Sequence, residues 1–496
     1  MNPSDLLTAP RWRPEDLGAP LPDSPHAITV AMPRWDDVVG YEEKRPETMA
    51  RLRRGYPRFL VHPLVQAVAA ALAPGRPCLP FPSPRVAEEA AAFVRAQAGA
   101  PAERVRRGAV TGVVTDAAGE PALKAFWQHT GLILSTRQAE AFLNGTPEPA
   151  DAPERRAALR RHLAALYDCA PEDVFLQPTG MAAQWAALRV AQQRRPGRPT
   201  AQLGFPYVDT FKLQQKFGPG AFFLHRLDRI VEELEALLAR QPLAACFCEI
   251  PGNPLLGSAD LRRVSPRLRA HGVLLIADDV AATPVNVDLG AYADLIATSL
   301  SKYLVGTADA MGGAVICPPR SPEHAELRAR LAAGHEELLG GGDAAVLEAQ
   351  VRGFPERMAR HNRHGLLIAE RLRAHPAVAR VWYPRWEFGE SYEAVRRPDG
   401  GWGALITFEP RRAASAAPRI YDRLEVNKGP SFGTVFTLAC PFTLLAHYTE
   451  LDWAEACGVS RYLLRLSVGL EDPEELWARL ARALAAEGAV AETLPA

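Results

Sequence analysis

The 496-residue chain has no net charge, because Lys+Arg and Asp+Glu each number 57. That balance leaves no basic excess for nucleic acid or an anionic membrane surface, and there is no acidic tail. It also removes one brake on self-association. Cysteine is sparse, with seven residues at 78, 169, 246, 248, 317, 440 and 457. Their odd number and scatter argue against a disulfide framework, and no CxxC pair or Cys/His cluster has the spacing of a zinc site. They read as reduced, mostly buried thiols, so a cytoplasmic location and no metal are expected. No apolar run reaches the roughly 18 residues of a membrane-spanning helix. The opening MNPSDLLTAPRWRPEDLG is too polar and Pro-rich for a signal peptide. No internal repeat is visible. The length exceeds one hydrophobic core, so two or three domains are expected.

What the chain does contain is LLIADDVAATPVNVDLGAYADLIATSLSKYLVGTADAMGG, residues 274–313. It predicts buried strands at 273–279, 294–299 and 312–317. Asp278 closes the first and Lys302 follows the second, which points both into one crevice of a parallel sheet. The pair suits pyridoxal phosphate. A lysine forms an imine with the aldehyde, and an aspartate keeps the pyridine nitrogen protonated so that the ring accepts electrons. An ordinary strand-end acid and a surface lysine give the same two letters, so the remaining sequence decides.

Residues 1–48 carry many prolines and little periodicity, and predict an extended arm ordered only against another surface. Tyr56 and Arg58 flank Pro57 before a helix at 63–72. They are placed to donate to phosphate oxygens or to contact the protein's own surface. Residues 75–152 form a separate block with the composition of a small α/β insert, followed by an exposed linker at 146–156. Within it, Gln128, His129 and Arg137 are polar. A histidine beside Trp127 is ordinarily a packing residue, and binding of a regulatory ligand by His129 and Arg137 is the alternative. Thr179-Gly180-Met181 turns from a short strand into a helix, whose N-terminus offers free N–H groups to a phosphate. Strands and helices then alternate to about 317, which predicts a doubly wound, mainly parallel sheet with Tyr207 and Glu249 in or before its loops. Beyond 320 come long helices, a glycine-rich break at 340–343, and alternating strands. One of those strands carries Arg465, either a carboxylate clamp or a structural salt bridge. Asp472 caps a final amphipathic helix.

The motifs YPR, TGMAA, YVDT, EIPGNPLL, SLSKYLVGTAD and RLSVGLEDPEEL, with the Asp278 strand, resemble in order those of the Cys/Met-metabolism enzymes that use pyridoxal phosphate. GYPRFLVHPLVQ, FWQHTGLILSTRQAE, NKGPSFGTVFTLACPFTLLAHYTELDWA and the insert itself are similar to the longer, fungal-type cystathionine γ-synthases. The resemblance implies an α/β fold of type I, aspartate-aminotransferase-like. A large cofactor domain at 63–319 would carry the insert, a smaller α/β domain would span 320–496, and an arm at 1–62 would reach a neighbouring subunit.

It also implies roles. Lys302 holds the cofactor covalently and moves protons. Asp278 pairs with the ring nitrogen, Tyr207 stacks on the ring and takes part in catalysis, and Asn253 bonds its hydroxyl. Gly180, Met181, Ser299 and Ser301 cradle the phosphate, with Tyr56 and Arg58 supplied by the neighbour in a homodimer or homotetramer. Arg465, helped by Ser431, grips the carboxylate of a small amino-acid substrate. The implied reaction is γ-replacement on an O-acylhomoserine by cysteine. Elimination, sulfide addition, or a non-catalytic regulatory role are the alternatives. Two positions depart from the shorter relatives: Asp279-Val280 after the aspartate, and Phe436, expected near the distal end of the substrate.

Overall fold

The computed structural model describes residues 5–488. Its centre is a seven-stranded sheet in the order β4-β10-β9-β8-β7-β5-β6. Three strands outside it come first in the chain, β1 (Cys78–Phe81), β2 (Ala102–Arg107) and β3 (Val110–Thr115). The central strands are β4 (Val174–Gln177), β5 (Thr200–Leu203), β6 (Ala221–Leu224), β7 (Ala245–Glu249), β8 (Leu274–Asp278), β9 (Leu295–Ser299) and β10 (Gly313–Ile316). β5 to β9 run parallel, and their residues are mostly apolar because the strands are largely covered. β10 is antiparallel to both of its neighbours, β4 and β9. The three strands read from residues 273–317 are therefore present, each a residue or two shorter, but the third enters the sheet against its direction.

The second sheet contains β11 (Val378–Trp382), β12 (Leu405–Pro410), β13 (Asn427–Lys428), β14 (Leu438–Cys440) and β15 (Leu464–Ser467), in the order β11-β12-β15-β14-β13. β11 and β14 escape a reading by alternation, because β11 carries two exposed residues in succession and β14 is only three residues long. The glycine-rich break opens the helix Gly341–Val351, between the helices His324–Gly334 and Phe354–Ala374. Asp472 accepts from the N–H groups of Glu474 and Glu475, both at 3.0 Å, at the head of the final helix.

β1, β2 and β3 form a small antiparallel sheet, order β1-β3-β2, with the helices Pro84–Ala98, Glu120–Thr130 and Thr136–Asn144. Its core joins Phe81, Phe126 and Trp127 edge to face. The N-terminal arm packs in part against the C-terminal domain. Val30 and Met32 are buried, Met32 N donates to Lys428 O at 2.9 Å, and the Trp35 ring meets Tyr421 edge on.

Candidate active site

The ends of β8 and β9, the turn after β4 and the loop before β14 converge on one cleft of about 410 Å³. Asp278 and Lys302 both face it, as the sheet geometry requires of residues beyond the carboxyl ends of parallel strands. The Lys302 amine donates to the Ser431 hydroxyl at 2.8 Å. Burial, then Arg465 and Arg58, lower its pKa from 10.5 to about 7, which makes it competent to accept a proton near neutral pH. Ser431 holds φ at +105°, a strained conformation for a side-chain-bearing residue. Its carbonyl accepts from Arg465 Nη2 at 2.9 Å while its hydroxyl meets Lys302. One strained residue thus ties the lysine to the arginine. Gly433 packs against the same loop. A Cβ there would stand 2.5 Å from the Tyr303 nitrogen, and its φ of +76° suits glycine.

Asp278 accepts hydrogen bonds from Val280 N at 2.8 Å and Gln184 Nε2 at 2.9 Å, both neutral donors. Burial pushes its pKa upward, with Asp279 adding to the effect. Glu249 lies beside it in register and accepts from the backbone N–H groups of Tyr207 at 2.6 Å and Asn253 at 3.2 Å. Glu249 thereby fixes both loops that carry the expected ring contacts. Asn253 Oδ1 in turn accepts from Arg465 Nη1 at 3.1 Å. The Arg465 guanidinium also lies 4.7 Å from the Phe442 ring centre and 5.3 Å from that of Phe432. It makes no ion pair with a carboxylate of the chain among the described salt bridges, which fits a clamp rather than a structural bridge.

At the phosphate end, the helix Gly180–Arg194 starts in the cleft, capped by the Thr179 hydroxyl, which accepts from Ala182 N at 3.1 Å. A Cβ on Gly180 would stand 2.6 Å from that of Ser299, so only glycine lets this turn approach β9 so closely. Met181, Ser299 and Tyr207 line the same cleft. Ser301 does not. It is buried, and its hydroxyl exchanges hydrogen bonds with Gly312 N at 3.0 Å and Gly312 O at 3.3 Å. Ser301 therefore braces the lysine loop against the start of β10, a correction to its expected place in the cradle.

Tyr56 and Arg58 line the cleft. The Lys302 amine is 4.7 Å from the Tyr56 ring centre. Arg58 is buried and donates to Tyr207 Oη at 2.6 Å, Asp209 Oδ2 at 2.5 Å and Gln128 O at 2.6 Å. Burial opposes ionisation of Asp209, but Arg58 and His129 hold its carboxyl well below the ordinary range. His129 Nδ1 is 3.2 Å from Asp209 Oδ1, though off the direction of a good hydrogen bond. Arg137 pairs with Asp309 and Asp343. The Arg137 guanidinium is therefore already engaged by its own chain.

Phe436 is fully buried in a core cluster and does not line the cleft, contrary to its expected position near the substrate. Asp279 also points away, accepting from Tyr167 Oη at 3.1 Å, whereas Val280 does line the cleft. Sequence reasoning passed over Gln184, Glu249 and Asp209 as functional residues. Gln184 lies one turn beyond Gly180 on the same helix face, and Asp209 stands inside the YVDT motif.

This set fits pyridoxal phosphate by its donor chemistry. A half-buried carboxylate served only by neutral donors suits a cationic ring nitrogen, a lysine of lowered pKa suits an aldehyde, and a glycine-turn helix N-terminus in the same cleft as Arg58 suits a phosphate. Fold and site together define a pyridoxal-phosphate enzyme of fold type I. Residues 151–485 match the model of the Cys/Met metabolism PLP-dependent enzymes, and residues 60–135 that of the fungal trans-sulfuration enzyme N-terminal domain. The chain belongs to the Cys/Met metabolism PLP-dependent enzyme family, and is cystathionine γ-synthase-like within it.

The chain is 30% identical to a cystathionine gamma-synthase of Neurospora crassa, over 95% of this chain and 98% of that one. It is 36% identical to an L-2-amino-4-chloropent-4-enoate dechlorinase/desaturase of Streptantibioticus cattleyicolor, over 92% of this chain and 95% of that one. The crystal structure of cystathionine gamma synthase from Xanthomonas oryzae pv. oryzae in complex with cystathionine superposes with a TM-score of 0.59 at 26% identity, covering 68% of this chain and 86% of that one. Among the described residues no helix is long and apolar enough to cross a membrane, and no group of three or more His, Cys, Asp or Glu could hold a metal.

Proposed function

We propose that the chain catalyses γ-replacement, in which cysteine displaces the acyl group of an O-acylhomoserine to give cystathionine. The observation that carries this reading is the Lys302–Ser431–Arg465 linkage, which sets a proton-transfer amine next to a carboxylate clamp. Bound in the cleft, pyridoxal phosphate supplies an aldehyde for the substrate's amino group and a ring that draws electrons from its α-carbon.

The chain's own residues do the rest. Arg465, helped by Ser431, grips the α-carboxylate, and its bonds to Asn253 Oδ1 and the Ser431 carbonyl fix the plane of the guanidinium. Lys302, neutral in part near pH 7, takes the proton from the α-carbon and returns it at the end. A second proton leaves the β-carbon, the Cγ–O bond breaks and the acyl group leaves as a carboxylate; the cysteine thiol gives up its proton as its sulfur forms the Cγ–S bond, and the protons at the α- and β-carbons return. Asp278 would pair with the ring nitrogen, Tyr207 would stack on the ring, Asn253 would bond its hydroxyl, and Gly180, Met181 and Ser299 would hold the phosphate.

Elimination from the same position is the second reading. It is favoured by the 36% identity to an enzyme named as a dechlorinase/desaturase, which removes a group without an entering thiol in its name. Purified enzyme is to be incubated with O-succinyl- and O-acetylhomoserine, with and without cysteine. Cysteine-dependent cystathionine supports replacement. Equal release of 2-oxoacid and ammonia without cysteine overturns it in favour of elimination.

A further inference from the structure

We propose, on the reading of Asp278 as the partner of the ring nitrogen, that Asp279 and Tyr167 form a positioning pair behind the cleft. The pair holds Asp278 in place for that nitrogen, and Arg397 of the C-terminal domain clamps it. Asp279 is one of the two departures from the shorter relatives, and no step of the replacement uses it.

Asp278 ends β8 and faces the cleft, and the next residue turns the other way. Asp279 is only 1% exposed. Tyr167 Oη, at the end of the helix Ala152–Leu166, donates to its Oδ1 at 3.1 Å, and Thr298 of β9 supplies a second hydrogen bond. Burial raises its pKa to about 6, against the pull of those two bonds and of the Arg397 charge. A helix, a neighbouring strand and the loop after β8 thus meet on one buried carboxyl, whose placement is costly unless every partner is fixed.

What this carboxyl fixes is the turn that serves Asp278. Val280, the following residue, gives its N–H to Asp278 Oδ1 at 2.8 Å, beside the bond from Gln184. The Asp279 carbonyl accepts from Thr283 N at 2.6 Å and closes the turn. Thr283 takes φ +75°, an outlier for a β-branched residue, and its buried hydroxyl has no partner. Strain of this kind persists only where the surroundings over-determine the backbone.

The clamp comes from the second domain. Arg397 Nη2 donates to Leu166 O at 3.0 Å and to Asp168 Oδ2 at 2.9 Å, on either side of Tyr167. Its Nε donates to Pro284 O at 2.8 Å, directly after Thr283, and its backbone N–H donates to Asn286 O at 2.8 Å. One arginine therefore grips both neighbours of the tyrosine and the far end of the Asp279 turn. Asp279, Tyr167 and Arg397 do not line the cleft. They are positioning residues, acting on the cofactor through Asp278.

Two measurements test the pair. Holoenzymes of Asp279→Ala, Asp279→Asn and Tyr167→Phe are dialysed against a series of pyridoxal phosphate concentrations, and bound cofactor is read by absorbance. Asp279→Ala is expected to raise the Kd about tenfold, because it leaves the buried Tyr167 hydroxyl unpaired and frees the turn. Asp279→Asn still accepts from Tyr167 and is expected to bring the Kd back to within about threefold of wild type. Tyr167→Phe is expected to raise the Kd by less than Asp279→Ala does, and Arg397→Ala to raise it several-fold. A lower Tm with an unchanged Kd in both Asp279→Ala and Tyr167→Phe assigns the pair to packing and overturns the proposal. An unchanged Kd in Arg397→Ala overturns the clamp.

The second measurement repeats Asp279→Ala in an Asp278→Asn background. Acting through Asp278, the added substitution is expected to change the Kd by less than about twofold there. The full increase seen in the wild-type background overturns the proposal, because the effect then bypasses Asp278. A wild-type Kd in Asp278→Asn alone instead sinks the ring-nitrogen reading, which separates the two failures.

Discussion

Glu249 and Asp278 end neighbouring parallel strands directly opposite each other. Burial raises Asp278 from 3.8 to about 7, and burial together with Asp278 raises Glu249 from 4.5 to about 8. In the cofactor-free protein the folded state therefore keeps protons that the unfolded chain has released. Stability falls as pH rises from about 4 through about 8. Asp278→Asn is expected to flatten that slope, and Tm measured across this range by calorimetry checks it. An unchanged slope means that the carboxylates do not share the cost of ionisation.

Lys302→Ala is expected to keep the fold and lose activity by at least on the order of 10²–10⁴, the usual contribution of a positioned proton-transfer group. The visible absorbance of the covalently held cofactor is expected to disappear in parallel. Activity retained near wild type removes Lys302 from the mechanism.

Arg465→Ala is expected to raise KM for the amino-acid substrate roughly ten- to a hundredfold. The basis is the loss of charge-assisted hydrogen bonds worth about 1.5–3 kcal/mol. Arg465→Lys is expected to recover only part of this, since an ammonium cannot present two N–H groups in one plane. Initial-rate kinetics that show a fall in kcat alone would place the arginine elsewhere in the reaction.

Gly180→Ala puts a methyl 2.6 Å from the Ser299 Cβ and 3.0 Å from its Cα. The backbone of β9 cannot yield, so the turn shifts. The expected cost is about 1–3 kcal/mol of stability, together with weaker retention of pyridoxal phosphate. Dialysis followed by absorbance reads the retention, and full retention by the variant shows that the turn is not the phosphate seat.

The parts of the site that local pattern carries were legible in the sequence. Asp278 and Lys302 sit at the ends of apolar strands, and the chain direction alone places such residues over a parallel sheet. The Thr179-Gly180 turn announces a helix start. The parts that depend on long-range geometry were not legible. Ser301 stands two residues from Ser299 and shares its chemistry, yet the antiparallel entry of β10 brings Gly312 beside it and turns its hydroxyl away. Phe436 follows a motif near the cleft, but its side chain enters the core of the added domain. The partners of Arg58 cannot be read from a YPR motif, because Gln128 and Asp209, which hold the guanidinium, come from two helices far along the chain.

The antiparallel strand β10 has a consequence for how the protein is made. Gln177, just before the phosphate turn, pairs with Gly313, far downstream, and a Cβ on Gly313 would collide with the Thr179 carbonyl at 2.2 Å. As the ribosome releases the chain from its N-terminus, the first half of the site emerges long before the strand that holds it in place. Distant pairings of this kind form slowly. Cofactor capture is therefore a late event in the life of the nascent chain, and truncation anywhere before residue 316 yields a product that cannot hold pyridoxal phosphate.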